Sequence, residues 1–495
     1  MKILYHGWVR RNHKIVNLMK ENYDWEPEVV AANPSEKDKI RINFPKAKFV
    51  SIPDLRFGER DFFGFKKIPI GQEEFDKICK HFPSFLLSFN DTNNHNFSTK
   101  EKMYFSRKLF DYWNTIFSNC EVDCVVFYTW PHTTTCFSLY LIAKYVFKKK
   151  ILFVDLIEHF SAHYHTISYD LSDLSKPYLK YVNQNHEIED VNKYIEGVKN
   201  DSFFKREDHI RFRELFIEKN IFSKLLLEFI IAFCKGGIFR KGYHDWKINY
   251  KSWNKRNSPS KCEFIIYKFK TALQTKLLKR FYQKNTSKIT SKNYILVSGQ
   301  YQPEANSTQH VGYYHDFFSV LDLIYSVKDN ETEVYYKEHP DTFEMIPNYF
   351  TPLYKDKKFW KKILKYKNLK LVNLDEKFRD CVKDAQMVVT LSSTSGLESL
   401  IHGKPVLLFS KVWYSACNGT FVIQNYKSCK EAFNKILNGF KPDFQKVKNF
   451  LNSVALSCEK GIMHEKSIPL SEEESYKSLK KISKLLHKKF KEYYL

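Results

Sequence analysis

A histidine followed by proline closes the apolar run VYYKEHP (334–340) and places Lys337, Glu338 and His339 where a strand has to stop. Further on, LSSTSG (391–396) sets Ser392, Ser393, Thr394 and Ser395 between a β-branched run and a helical pattern that ends near His402 and Gly403. In an open α/β sheet, ligands sit at the carboxyl ends of the strands, so both stretches stand where a ligand would. A helix N-terminus offers unpaired N–H groups and partial positive charge, which suit a phosphate. Serine hydroxyls add donors, and Gly396 lets a ligand approach closely. Lys337 and His339, the latter fixed by Pro340, would bring donors or charge to the same phosphate. Glu398, early in the helix, could accept hydrogen bonds from ribose hydroxyls. Each feature also has a plain structural use: serines cap helices, and a His-Pro pair can simply close a turn. What favours a phosphate site is that the two stretches end different strands of one α/β segment.

Acid/base chemistry needs a carboxylate or histidine within hydrogen-bond reach of the reacting hydroxyl. The densest supply in the N-terminal half is VDLIEHFSAHYH (154–165), where Asp155, Glu158, His159, His163 and His165 crowd one strand end. His6 and His132 follow other strand-like runs and could line the same edge. Trp413 and Tyr414, after KPVLLFS, could stack on a base or sugar, or fill a core.

Several elements must position these groups. MKILYHGW followed by RRNHKIVNLMKEN reads as a first strand and helix. VDCVVFYTW, PHTTTCFSLYLIAKYVF and KKILFVD read as a strand, a helix opening at Pro131 and a second strand, a βαβ crossover that implies a parallel sheet. Between 171 and 290 the strand signals fade, and stretches such as EDVNKYIEGVKND and KTALQTKLLKRFYQK have helical spacing. NYILVSG, TEVYYKE, LKLVN, AQMVVTLS and KPVLLFS are five further strands, with helical patterns between them. Ser471 and Glu474 form a capping box for a last helix. The expected organisation is a Rossmann-like domain at 1–170, a basic, mostly helical insertion at 171–290, a second Rossmann-like domain at 291–460 and a C-terminal helix at 461–495.

At 495 residues, 43% hydrophobic and 17% aromatic, the chain has ample material for packed cores. Its formal charge is +24, and residues 201–290 alone hold 21 Lys+Arg against 8 Asp+Glu, a net +13. That balance calls for an anionic neighbour: nucleic acid, an anionic membrane or phosphorylated ligands. No nucleic-acid motif is present, and the charge lies apart from the site-like residues, so nucleic acid is not expected. The helical, basic and aromatic segment fits an anionic membrane surface, and it equally fits an acidic polysaccharide or a solvated face. The scattered cysteines have no metal-ligand spacing and read as free thiols, so neither a metal nor a resident cofactor is expected. No leader is expected, since MKILYHGW runs straight into a polar segment, and the most apolar run, IFSKLLLEFIIAFCKGGIF, reads as too interrupted to span a bilayer.

SGQYQPEANST (298–308), VYYKEHP and LSSTSGLESLIHGKPVLLF (391–409) together resemble the capsule polysaccharide biosynthesis family, whose members are similar to Kdo transferases of bacterial capsules. The resemblance covers roughly 290–415. It implies a GT-B-like fold: two doubly wound domains facing a cleft, the second holding a nucleotide sugar. The His-Pro and Ser-Ser pairs also resemble those of bacterial sialyltransferases, which hold the phosphate of a CMP-sugar. Here the matching residues are His339, Pro340, Ser392 and Ser393. Within the QPE segment, Gln302 and Glu304 would face the cleft, with Glu304 serving sugar binding or acid/base chemistry. The acidic pair followed by glycine in those families has no counterpart here, so Asp155, Glu158 and His159 are the substitutes. The resemblance thus implies a glycosyltransferase moving a Kdo- or sialic-acid-like sugar from a CMP-activated donor to a glycan or glycolipid acceptor. It would work in the cytoplasm at the inner face of the membrane. The alternatives are a CDP-polyol phosphotransferase, a transferase using another nucleotide sugar, or a non-catalytic assembly component.

Overall fold

A computed structural model describes residues 1–52, 55, 61–89, 98–157, 160, 164–171, 174–200, 261–343, 354–461 and 471–495. The chain forms two compact units. The first comprises Met1–Tyr194, Lys411–Cys417 and Lys448–Leu495, and the second Ile195–Ser410 and Asn418–Val447.

The first unit is built on a seven-stranded sheet. Its strands are β1 (Lys2–His6), β2 (Glu26–Ala32), β3 (Lys48–Ser51), β4 (Cys124–Phe127), β5 (Lys150–Ile157), β6 (Tyr164–Ser168) and β14 (Glu459–Lys460), in the order β14-β6-β5-β4-β1-β2-β3. The expected βαβ unit is present: β4 and β5 pair in parallel around a helix at Thr134–Leu141. That helix opens after Thr133, whose backbone is extended, rather than at Pro131. VDLIEHFSAHYH does not simply end a strand. β6 turns back antiparallel on β5, setting Asp155 opposite Thr166 and Leu156 opposite His165.

The closing helix, Glu472–Tyr494, begins at Ser471 with the expected capping box. Its apolar stripe of Leu479, Ile482, Leu486 and Phe490 joins the core of this first sheet together with Ile15, Met19 and Trp25. Tyr494 Oη donates to the Ile151 carbonyl (2.8 Å) and accepts from its N–H (2.9 Å). Tyr493 Oη donates to the Ile167 carbonyl. Burial of this stripe is why the last stretch of chain belongs to the first unit.

The second unit holds an all-parallel sheet, as its continuous apolar strands require. Its strands are β7 (Thr286–Ser287), β8 (Tyr294–Ser298), β9 (Val334–Lys337), β10 (Leu369–Val372), β11 (Ala385–Thr390), β12 (Val406–Leu408) and β13 (Thr420–Val422). They run in the order β13-β12-β11-β8-β9-β10-β7. Helices such as Phe317–Val327 and Tyr426–Leu437 bury Leu321, Ile324, Phe433 and Ile436 against it. The α/β class and the pair of parallel-dominated sheets agree with the expectation.

The stretches expected to be helical at both ends of the insertion form Glu189–Asn200 and Lys261–Lys284. The rest of the basic segment, with its expected role at a membrane, lies outside the described residues. Among the described residues, every cysteine is free, and no helix is long and apolar enough to cross a membrane.

Candidate functional site

In the second sheet the chain leaves β8 toward β9 and β10, then returns to the other flank of β8 as β11. The order therefore reverses between β8 and β11. At such a reversal the connections diverge, and the region beyond the carboxyl ends is the usual ligand position in such sheets. Both expected motifs sit on this edge. LSSTSG follows β11, and KEHP closes β9, the strand on the other side of β8.

The serine turn is wired tightly. Ser393 is the N-cap of the helix Thr394–Ile401, and its Oγ accepts from the Ser395 N–H at 3.2 Å. The Ser393 N–H donates to Thr390 Oγ1 (3.3 Å), and that of Gly396 to the Ser393 carbonyl (3.0 Å). The buried Ser395 hydroxyl meets Ser298 Oγ at 2.8 Å. Ser392 Oγ donates to the Asn306 carbonyl, and its N–H donates to Gln300 Oε1 at 3.0 Å. Among the described residues the Thr394 N–H has no partner, and it is the donor the helix end offers an anion. The serines thus divide: Ser392 and Ser395 pin the turn, while Ser393 and Thr394 remain at its half-exposed rim. Glu398 is half-buried in the second turn of the helix, and its carbonyl accepts from the His402 N–H.

Opposite lies the His-Pro turn. Pro340 opens a 3₁₀ turn, Pro340–Phe343, where its missing N–H costs nothing. The Asp341 N–H donates to His339 Nδ1 at 3.2 Å, and Asp341 Oδ2 lies 3.9 Å from the same nitrogen. With Nδ1 accepting, the neutral ring carries its proton on Nε2, a donor suited to a phosphate oxygen. The His339 side chain is 38% exposed.

Glu304 lies near Asp341. Burial, with the Asp341 charge adding, pushes its carboxyl up to about 7. No hydrogen bond reaches this carboxylate among the described residues. A carboxyl poised near neutral pH in the loop that follows β8 is suited to proton transfer.

Two expected ligands are placed otherwise. Gln302 is buried, and its amide donates to the carbonyls of Ser307 (2.9 Å) and His315 (2.8 Å). It holds the loop that carries Glu304, because a buried amide has to satisfy its donors locally. The Lys337 ammonium donates to the carbonyls of Asn373 and Leu374, each at 3.2 Å, beyond β10. Desolvation holds its pKa below the usual lysine value. It steadies the neighbouring strand end because side chains alternate along a strand and Lys337 points away from the Glu338 face.

In the first unit, Asp155 is half-buried near Tyr178 and Cys458, and desolvation pushes its carboxyl up to about 7. Glu158, His159 and His163 lie outside the described residues. His6 stands at the end of β1 with its ring 5.6 Å from that of Phe127, and His132 Nδ1 lies 2.7 Å from the Trp130 carbonyl. Trp413 and Tyr414 are buried in this unit, Trp413 against Tyr178 and Phe450, so they are core residues.

The comparison with protein families picks out the same region, matching residues 247–422 to the family described as capsule polysaccharide biosynthesis protein. The match spans 176 of the 495 residues, about a third of the chain. The matched segment holds the whole second sheet with the serine turn, the His-Pro turn and the Glu304 loop. The first sheet lies outside the match. A search of curated proteins finds no match.

Among solved structures, KpsC of Thermosulfurimonas dismutans appears as a beta Kdo 2,4 transferase and as a beta Kdo 2,7 transferase. The first is 11% identical, covering 66% of this chain and 79% of that one, with a TM-score of 0.31. The second is 19% identical, covering 46% and 67%, with a TM-score of 0.23. UDP-GlcNAc 2-epimerase of Methanocaldococcus jannaschii is 12% identical over 91% of this chain and 99% of that one, with a TM-score of 0.25. TM-scores of this size leave the fold argument resting on the strand order.

Gln300 and Asp341 carry parts of this site that sequence reasoning did not single out. Gln300 stood inside the quoted SGQYQPE, and its position one residue past the strand-ending Gly299 was the available signal.

Proposed function

We propose that the protein is a glycosyltransferase of capsule or surface polysaccharide synthesis, taking a sugar from a CMP-activated donor to a glycan or glycolipid acceptor. The observation that carries this reading is the pairing, on one sheet edge, of the Ser393–Thr394 helix end with the His339 turn. The Thr394 N–H, the positive helix end and the His339 Nε2–H supply three favourable contacts for a nucleotide phosphate. Glu304 is the base of choice, since its carboxyl titrates near neutral pH on the same edge. The match of residues 247–422 to a capsule polysaccharide biosynthesis family supports the pathway; the likeness of the His-Pro and Ser-Ser pairs to those of sialyltransferases supports a cytidine donor.

A thermal-shift panel of CMP, CDP, UDP and GDP tests the donor. A ligand that binds only the folded state raises the melting temperature by mass action. CMP or CDP should stabilise the protein more than UDP or GDP; stabilisation by the uridine nucleotides alone would sink the donor assignment.

The cradle is tested by His339→Ala and Ser393→Ala. Loss of one hydrogen bond to a charged group costs about 1.5–3 kcal/mol, roughly ten- to a hundredfold in nucleotide affinity. Ser393→Ala should also cost about 1 kcal/mol of stability through the lost cap. Unchanged affinity in both variants would return these residues to turn and cap duties.

A further inference from the structure

VYYKEHP places a glutamate between the lysine and the histidine, and its side chain turns inward. Glu338 and Lys355 form an ion pair at 2.7 Å with both side chains 0% exposed. We propose that Lys355 is a positioning residue: it ties the His339 turn and the Ser392–Ser395 turn into one arrangement, so that both act on the same anionic group.

Two hydrogen bonds fix the Lys355 ammonium. One goes to Glu338 Oε2 and another to the Gln300 carbonyl, also at 2.7 Å. The ammonium also lies 5.0 Å from the centroid of the Phe317 ring, within cation–π range. From these partners the bonding continues outward in two directions. Glu338 Oε1 accepts from the His339 N–H at 2.7 Å and from Thr342 Oγ1 at 3.1 Å, which fixes the turn that presents the imidazole. Gln300 accepts from the Ser392 N–H with Oε1 and donates to Ser392 Oγ with Nε2, at 3.0 and 2.9 Å, which fixes the serine turn. Gln300 is only 7% exposed, so this amide has little access to water. Gly299 completes the fit: a Cβ there would fall 2.7 Å from Glu338 Oε1 and 2.9 Å from Glu338 Cα.

A buried ion pair is a poor way to gain stability, since a well-packed apolar pair does as well or better. An apolar pair, however, cannot direct hydrogen bonds to a carbonyl on one strand end and, through a carboxylate, to an amide on the next. The network joins the ends of β8, β9 and β11, the three strands around the reversal of strand order. The shared-ligand part of the proposal rests on the phosphate reading above; the tie between the turns does not.

The test uses the full chain and two readouts, single-residue amide hydrogen exchange and CMP affinity. The variants are Lys355→Met, the double variant Lys355→Met/Glu338→Gln, which leaves no buried charge unpaired and keeps the experiment open if the single variant does not fold, and Gln300→Leu. In the Lys355 variants, exchange at the His339 and Ser392 amides should rise about tenfold relative to amides inside β8 and β11. Gln300→Leu should do so at Ser392 alone. CMP affinity should fall about tenfold or more in each. An even rise across the whole unit, or none at the two amides, would overturn the proposal, because a merely structural lysine would give that result. If the two amides respond and CMP binds the double variant as tightly as the original, the shared-ligand part fails. If they respond and CMP binds nothing, the nucleotide reading fails while the tie between the turns stands.

Discussion

Glu304→Gln is expected to slow sugar transfer by about 10²–10⁴-fold while making the folded protein more stable above neutral pH. Both effects come from one cause. Burial and the neighbouring Asp341 raise the Glu304 carboxyl from its ordinary value of 4.5 to about 7. As general base Glu304 must be ionised, so transfer should climb as pH rises through about 7, and the variant should lack that limb.

The stability effect has the opposite sign. Below the unfolded-state value both states hold the proton, and the group costs nothing. As pH rises from there, the unfolded chain ionises first while the folded protein keeps its proton, so stability falls until the folded carboxyl titrates near 7. Removing the charge should therefore gain on the order of 3 kcal/mol at pH 8 and nothing at pH 4. Chemical denaturation at the two pH values, with a pH–rate profile, checks both halves. An unaltered rate profile would remove Glu304 from the chemistry; an unaltered stability at pH 8 would show that its carboxyl is not desolvated.

Lys355→Met should cost about 3–5 kcal/mol, because it leaves the Glu338 carboxylate buried without its partner. Lys355→Met/Glu338→Gln should cost far less, since the substituted amide is neutral and needs no buried counter-charge. The double-mutant cycle should then give a large coupling energy between the two positions. Equal costs for the single and double variants would mean that the carboxylate finds water or another donor in the folded state. Urea unfolding of Lys355→Met, Glu338→Gln and the double variant supplies the numbers.

Much of this molecule was legible before folding. The strands β1, β4, β5 and β8–β12 announce themselves as short apolar runs ended by Gly, Pro or polar residues. The closing helix is announced by Ser471 and Glu474. Local patterns suffice there because a strand buried on both faces has no polar alternative and a capped helix end satisfies its own donors. The family resemblance of SGQYQPE, KEHP and LSSTSG also reached the correct stretch of chain. β6 was missed because YHTIS carries a histidine and two hydroxyl residues, and only pairing with β5 makes it a strand.

What the sequence determined by itself was the α/β class, the parallel second sheet, and the two turns that close β9 and β11 on one sheet edge. It could not say which way each polar side chain points. Gln302 and Lys337, expected at the ligand, satisfy backbone carbonyls instead. Lys355 comes to the site from a position that carries no motif, and Gln300 and Asp341 lie in or beside motifs that do not reveal where their side chains point. That assignment belongs to the tertiary structure, because a buried amide or ammonium must find its partners among atoms distant in sequence. Which strand ends meet, and so which donors lie within reach, is set only when β11 returns to pair beside β8.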